Sequence, residues 1–194
     1  MKRIRLLVLL SVAVTTACIS PMYDTARTTE GFTISGGVPG HYFPDPEMDI
    51  FTGGIDLNLS YAPTNWFSFV GRGGLHFFPL LNAGAGVKFS TSWENINLAL
   101  RAEAHYPHLG LITALIGFGS DTREYVTLGI EKSLDSDFSP LLFTTLHPSK
   151  NFHIFIGSGI CEIFTEKSFP PVSIGIACTW CFQNKKKRKQ ETLH

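Results

Sequence analysis

The chain has 194 residues, of which 44% are hydrophobic and 12% aromatic, and only 16% are charged, compared with about 25% in average soluble domains. Sixteen Lys and Arg residues balance sixteen Asp and Glu residues, so the net charge of zero excludes a uniformly basic surface for nucleic acid. This composition also excludes a disordered chain and predicts a single folded domain.

The N-terminus has the order of a bacterial export signal. A basic stretch, Met1 to Arg5, precedes an apolar run from Leu6 to Val14, which is too short to span a bilayer of about 30 Å. Small residues then lead to Cys18. We therefore predict a signal peptide over residues 1–17 and export from the cytoplasm.

Cys18 resembles the acylated cysteine in the lipobox of bacterial lipoproteins, because it directly follows the small residues Thr15 to Ala17. Leu is usual at the position of Thr15, so cleavage after Ala17 without acylation is the alternative. Lipidation would tether the chain to the outer membrane through a linker over residues 18–30.

Alternation of apolar and polar residues predicts an all-β chain. In the clearest segment, Asn95 to Tyr106, leucines and alanines alternate with polar residues such as Arg101 and Glu103. We expect about ten strands, within a range of roughly 8–12, and a strand of about 9–11 residues is long enough to cross a membrane. The predicted strands are 31–38, 52–61, 66–77, 83–91, 95–106, 109–118, 124–132, 140–147, 151–160 and 171–182.

The connections between the predicted strands are of two kinds. Short ones rich in turn residues, at 62–65, 92–94, 120–122 and 147–150, alternate with connections that include the longer 39–51, 133–139 and 161–170. Outer-membrane barrels have short turns on the periplasmic side and longer loops outside. We therefore expect a single closed antiparallel transmembrane β-barrel over residues 31–183, with both chain ends in the periplasm.

The polar face of the strands distinguishes a membrane barrel from a soluble barrel of the lipocalin type. A soluble barrel exposes this face to water and needs many charges there, whereas here Gly, Ser, Asn and Ala predominate. Small residues favour a crowded lumen and an apolar face in contact with lipid. The polar residues that we expect to form a lumen network are Asp56, Arg72, Lys88, Arg101, Glu103, His105 and Glu131.

Aromatic residues recur near the ends of the predicted strands. Membrane barrels place such residues in girdles at both interfaces, although aromatic residues also favour strands in general. The expected girdle residues are Tyr61, Trp66, Trp93, Tyr106, Tyr125, Trp180 and Phe182.

With these features the chain resembles bacterial outer-membrane β-barrel lipoproteins. The residues that carry the resemblance are Cys18, the segment Thr25 to Thr28, and Gly31-Phe32 at the start of the first strand. The last strand, Ser173 to Trp180, also looks like the signal that the barrel-assembly machinery recognises. The resemblance implies the outer membrane of a Gram-negative-type bacterium, with its lipid as a partner, and it implies no particular activity.

Candidate catalytic residues are few. Glu103 and His105 share one strand face and are the best acid and base pair, but no Ser motif such as GxSxG accompanies them, so a hydrogen-bond network is favoured. Cys178 and Cys181 have redox or zinc spacing, yet residues three apart on a strand point to opposite faces. We therefore expect no enzyme activity, no metal site and no cofactor.

The C-terminal segment 184–194 carries a basic run, Lys185 to Lys189. Export makes nucleic acid an unsuitable partner for this run. Anionic lipid or a periplasmic polyanion fits its charge, and a solvated tail is the alternative.

Together these features predict a structural, adhesive or narrow-passage membrane barrel with a polar lumen filled by side chains. The first alternative is a lipoprotein barrel that carries an apolar ligand, as lipocalins do. The second is a membrane-embedded, lipid-modifying enzyme that acts through Glu103 and His105.

Overall fold

The chain forms ten antiparallel strands that close into one barrel in the computed structural model, which describes residues 23–43, 50–77, 80–106, 109–120, 123–134, 140–159 and 172–182. The closed ten-stranded antiparallel barrel is therefore confirmed. No helix long and apolar enough to span a membrane occurs in these ranges. The strands are β1 (Gly31–Phe43), β2 (Ile50–Ala62), β3 (Phe67–His76), β4 (Leu80–Trp93), β5 (Ile96–Tyr106), β6 (Leu111–Ser120), β7 (Arg123–Ser133), β8 (Leu141–Ser149), β9 (Phe152–Gly159) and β10 (Val172–Phe182).

Each strand pairs with its neighbours in the sequence, and β1 pairs with β10 to close the barrel. β2, β4, β6 and β8 end, and β3, β5, β7 and β9 begin, at one end of the barrel, which we call the turn end. The strand ends on the opposite side form the loop end. Phe32 pairs with Phe182, so β1 begins and β10 ends at the turn end.

Predicted and observed strand limits differ mainly at the connections. β1 continues to Phe43 and β2 begins at Ile50, so the first connection is shorter than the predicted 39–51. β8 runs on through His147 and Pro148, where the sequence predicts a turn. Proline fits there because the pairing of β8 with β9 shifts register at this point, and the ladder does not need its missing N–H.

The apolar face of the strands is the outer surface of the barrel. Along β5, Ile96, Leu98 and Leu100 are exposed, whereas Asn97, Ala99 and Arg101, which alternate with them, are buried. Two residues of β7 are the only Asp, Glu, Lys or Arg at outward-facing positions of the described strands: Lys132 near the loop end, and Arg123 at the turn end, whose guanidinium lies 5.1 Å from the centroid of the exposed Tyr125 ring. All seven predicted girdle residues are exposed, with Tyr106 near the loop end and the others near the turn end.

One side of the lumen is filled by an apolar cluster, in which the rings of Phe143 and Phe155 stack with their centroids 5.3 Å apart. The Phe143 ring lies directly over Gly129 of β7, where a Cβ would overlap the ring. Glycine at this position therefore makes room for the ring. The buried members of the cluster are Tyr23, Ala26, Ala99, Leu115, Phe143, Phe155 and Ala177.

Replacing Gly129 with Ala should lower the free energy of unfolding by about 1–3 kcal/mol, because the Phe143 ring must move and the packed lumen has no space for it. Denaturant unfolding in detergent micelles, followed by tryptophan fluorescence, measures the loss. Gly71→Ala is the matched control, since a Cβ at Gly71 meets its nearest atom, the Gly84 carbonyl oxygen, at an ordinary 3.6 Å. Equal stability of the two variants would contradict the packing described here.

Candidate functional site

Buried ion pairs from β3, β5 and β7 cross the lumen. The Arg72 guanidinium lies 2.6 Å from Oε2 of Glu131 and 3.0 Å from Oε2 of Glu103. Nη2 of Arg101 donates to Oε1 of Glu103 at 2.7 Å, and the Thr113 hydroxyl donates to Glu131 at 2.9 Å. Opposite charges at these distances offset the cost of removing each charge from water.

The segment that precedes β1 folds back into the barrel. Tyr23, Ala26 and Thr28 are 1%, 0% and 5% exposed, and they pack against lumen residues of the strands. We call residues 23–28 the plug segment. The sequence predicts a linker over residues 18–30, but the part of it within 23–28 is packed among lumen side chains, because its groups complete the contacts of buried residues on the strands.

Lys88 of β4 holds the plug segment electrostatically. The ammonium donates to Oδ1 and Oδ2 of Asp24, each at 2.9 Å, and to the carbonyl oxygen of Thr25 at 3.1 Å. Arg101 lies 3.4 Å from Oδ2 of the same carboxylate. An ammonium group has three N–H donors, and all three donors of Lys88 form hydrogen bonds with the plug segment.

Tyr23 is the deepest described residue of the plug segment. Its ring meets the Phe155 ring edge-on, with centroids 6.1 Å apart. On the other side, the ring and hydroxyl occupy the space that Cβ atoms would need at Gly37 of β1 and Gly175 of β10. Two glycines on neighbouring strands therefore form the groove that receives this side chain.

Glu124 of β7 binds the plug segment through its backbone. Oε1 accepts the N–H of Ala26 at 2.9 Å, and Oε2 accepts the N–H of Arg27 at 3.0 Å. Asn97 donates to Oε2 at 3.1 Å, and the Thr127 hydroxyl donates to Oε1. The carboxylate thus satisfies two backbone donors that would otherwise be buried without partners.

Asp24 is charged in this environment. Burial raises the pKa of its carboxyl group, but the neighbouring Lys88 and Arg101 outweigh burial and hold the pKa below its usual range. A carboxyl group with a lowered pKa stabilises the fold at pH values above its unfolded pKa, and the stabilisation is lost as the pH falls through the folded value. The plug segment is therefore held most firmly at neutral pH.

The structure buries every polar residue that the sequence predicts for the lumen, and it brings four of them, Arg72, Arg101, Glu103 and Glu131, into one ion-pair network. Asp56 lies nearer the loop end, where Oδ1 is 3.3 Å from Nε2 of His76. The seven predicted residues are Asp56, Arg72, Lys88, Arg101, Glu103, His105 and Glu131.

The sequence does not indicate the roles of Asp24 and Glu124. The contacts of Asp24 with Lys88 and Arg101 join residues 64 and 77 positions apart, so no local pattern reveals them. Glu124 and Thr127 both face the lumen although they are three residues apart, because the pairing of β6 with β7 shifts register next to them. A strictly alternating pattern places them on opposite faces.

The catalytic candidates, Glu103 and His105, both lie in the lumen. Both carboxylate oxygens of Glu103 lie within 3.0 Å of guanidinium nitrogens, Oε1 beside Arg101 and Oε2 beside Arg72. This arrangement fixes the carboxylate within the ion-pair network and leaves neither oxygen presented to a substrate. His105 is also buried in the lumen, two residues along the same strand.

The two described cysteines are free and exposed. Cys178 faces outward, and Cys181 lies at the turn end, where its Sγ is 3.8 Å from the Thr33 hydroxyl. Among the residues that the structure describes, no group of three or more His, Cys, Asp and Glu is arranged to hold a metal ion. The predicted signal peptide 1–17, Cys18, Cys161 and the basic tail 184–194 lie outside the described residues.

Comparison with known proteins gives matches among solved structures alone, since the sequence matches no protein-family model and no curated protein. A designed transmembrane β-barrel is 16% identical, with a TM-score of 0.37, and the match covers 79% of this chain and 99% of that one. Neisserial surface protein A is 13% identical, with a TM-score of 0.37 and coverage of 79% and 98%. Ail, the attachment invasion locus protein of Yersinia pestis, is 15% identical, with a TM-score of 0.35 and coverage of 78% and 100%. At this level of similarity we base the function on this chain's own residues.

Asp24→Asn should lower the free energy of unfolding by about 3 kcal/mol, because it leaves the buried Lys88 ammonium without a carboxylate. Adding Lys88→Met to this variant should restore part of the loss, since the uncompensated charge is then gone. Denaturant unfolding in micelles measures both effects. Glu30→Gln is the control, because it makes the same chemical change at an exposed carboxylate beside the plug segment. Additive effects of the two substitutions would contradict the coupling.

The difference in unfolding free energy between the wild-type chain and Asp24→Asn should depend on pH. Because the pKa of Asp24 is lowered, the difference should be constant from neutral pH down to about pH 4, the ordinary pKa of Asp. It should then shrink as the pH falls further. A pH series of unfolding curves measures this, and loss of the difference near pH 6 would contradict the ion pair.

Proposed function

We propose that this chain is an outer-membrane β-barrel whose lumen is closed, and that it serves a structural or adhesive role at the membrane. The outer surface supports membrane insertion, because large apolar side chains cover it and its charges within the described strands are confined to Arg123 and Lys132, near the two ends of β7. Strands of 8–14 residues, as in β9 and β4, are long enough for a tilted crossing of the hydrocarbon layer. Exposed aromatic residues at both ends fit interfacial girdles.

The single observation that favours a closed barrel over a passage is the plug segment bound to Lys88. Behind it, the Arg72 and Arg101 ion pairs and the stacked rings of Phe143 and Phe155 occupy the cross-section of the lumen. An ion that passes the plug segment meets buried, already paired charges rather than an aqueous channel. A structural or adhesive role therefore fits the interior better than conduction.

The turn end is proposed to face the periplasm, following the usual arrangement of short periplasmic turns and longer outer loops. β1 begins and β10 ends there, so the predicted lipid anchor at Cys18 and the basic tail would both start from the periplasmic side. The basic tail is then placed to contact anionic lipid, and the last strand to engage the barrel-assembly machinery.

The two alternative functions have less support from the interior. A carrier of apolar ligands needs an apolar cavity, but Tyr23, Phe143 and Phe155 fill the apolar side of this lumen with their own rings. A lipid-modifying enzyme needs an accessible acid or base, whereas the Glu103 carboxylate is held between two guanidinium groups.

Purified, folded protein reconstituted in a planar lipid bilayer should produce no conductance steps, because the lumen is occupied along its length. Insertion is verified on the same sample by resistance to carbonate extraction from vesicles and by a shift of gel mobility on boiling. Regular conductance steps from inserted protein would overturn the closed barrel. Release of the protein by carbonate would instead overturn its placement in a membrane.

A further inference from the structure

The turn end of the barrel opens into a cleft of about 250 Å³ between the plug segment and the surrounding strands. Basic side chains are concentrated around it, from the plug segment and from β7, β8, β9 and the β8–β9 turn. The basic residues that line the cleft are Arg27, Lys88, Arg123, His147, Lys150 and His153.

Three of these cations have no carboxylate partner among the described residues. The Arg27 guanidinium donates to the carbonyl oxygen of Ser120 at 3.2 Å, and the Arg123 guanidinium donates to that of His147 at 2.7 Å. Lys150, at the tip of the β8–β9 turn, is exposed. The two carboxylates that line the cleft already have hydrogen-bond donors of their own. Asp24 accepts from Lys88, and Glu124 accepts from backbone N–H groups.

Two histidines extend this basic surface into the barrel. Nδ1 of His147 lies 2.5 Å from Nδ1 of His153, and Nε2 of His147 lies 2.8 Å from the Thr127 hydroxyl. Both rings are 3% exposed, and Nε2 of His153 has no hydrogen-bond partner in the described residues. An unpartnered ring nitrogen at this depth is costly unless a ligand or solvent satisfies it.

The protonation of the pair follows from the network. The Thr127 hydroxyl gives its single hydrogen to Glu124, so it must accept from Nε2–H of His147. Nδ1 of a neutral His147 is then an acceptor, and His153 donates to it from Nδ1–H. This leaves Nε2 of a neutral His153 without a proton, and protonation converts it into a donor on a residue that lines the cleft.

Two departures from regular strand pairing lie beside the cleft. The register of β6 with β7 shifts beside Glu124, and that of β8 with β9 shifts at His147. Bulges of this kind often redirect side chains next to binding sites. Both shifts in the described pairings lie at the turn end, beside the cleft.

We propose that the turn-end cleft binds a small oxyanion, a phosphate or sulfate group, beside the Arg123 guanidinium and the ring of His153, which takes up a proton together with the anion, and that Arg27 and Lys150 add positive charge. Guanidinium and imidazolium groups donate charge-assisted hydrogen bonds to such anions. The group is either a free inorganic anion or the phosphate of a lipid headgroup. The site depends on the cleft alone and not on the role of the barrel in a membrane.

Calorimetric titration of the folded, full-length protein in a neutral detergent with inorganic phosphate tests the site. Arg123→Gln and His153→Gln should each weaken binding by at least about tenfold, the loss expected for one charge-assisted hydrogen bond. Lys132→Gln is the matched control, because it removes the same charge from the loop end of the same strand, and it should bind as the wild type does.

Arg123 is only half-buried, so Arg123→Gln should fold more reliably than His153→Gln. The shift of gel mobility on boiling verifies that each protein is folded. Unchanged phosphate affinity in folded Arg123→Gln would overturn the site, as would absence of phosphate binding to the wild-type protein. Titration with phosphatidic acid in mixed micelles then identifies the source. Tighter binding than inorganic phosphate indicates a headgroup, and equal or weaker binding indicates a free anion.

Because His153 takes up its proton together with the anion, binding should depend on pH, and sulfate reveals this because its own charge is constant near neutral pH. Binding should weaken by roughly tenfold between about pH 6 and about pH 8 in the wild type, and much less in His153→Gln. The charged and titratable groups around His153 are Asp24, Lys88, Arg123, Glu124, His147 and Lys150. Equal sulfate affinity at both pH values in the wild type would overturn the part played by His153.

Discussion

The ammonium group of Lys88 is the constraint on which the interior depends. It is 2% exposed, and the only carboxylate that it contacts among the described residues is that of Asp24. A lone positive charge at this depth costs several kcal/mol, whereas the plug segment supplies one carboxylate and one carbonyl oxygen to it. Lys88 on the barrel wall therefore explains why a segment without secondary structure lies in the lumen.

The remaining lumen contacts reinforce this arrangement in different ways. Arg101 joins the plug segment to the ion-pair network, because it contacts both Asp24 and Glu103. Glu124 fixes the backbone of the segment near the turn end, and the glycines on β1 and β10 receive Tyr23 deeper inside. Electrostatic, backbone and packing contacts thus act on the same few residues, and they close the lumen from within.

Sequence periodicity predicted the strands, their number and the face that points outward, because side-chain direction alternates strictly along a strand. Asn97 and Arg101 of β5, for example, are buried where alternation places them. The same reasoning does not place Glu124 in the lumen, because the register shift between β6 and β7 breaks the alternation there. His147 follows the alternation of β8, but it lies in a segment where the sequence predicts a turn. It also missed Asp24, since the predicted lumen charges already balance, with three acidic and three basic residues, and gave no reason to seek another carboxylate.

A disulfide between the plug segment and the barrel wall tests the central claim most directly. The hydroxyl oxygens of Thr28 and Ser90 are 2.6 Å apart, close enough for cysteines at these two positions to bond. In a background with the native cysteines changed to Ser, the Thr28→Cys, Ser90→Cys protein should oxidise nearly completely when folded in membranes. The Thr28→Cys, Thr91→Cys pair should not, because Thr91 faces outward. Equal oxidation of the two pairs, or none in either, would contradict a plug segment inside the barrel.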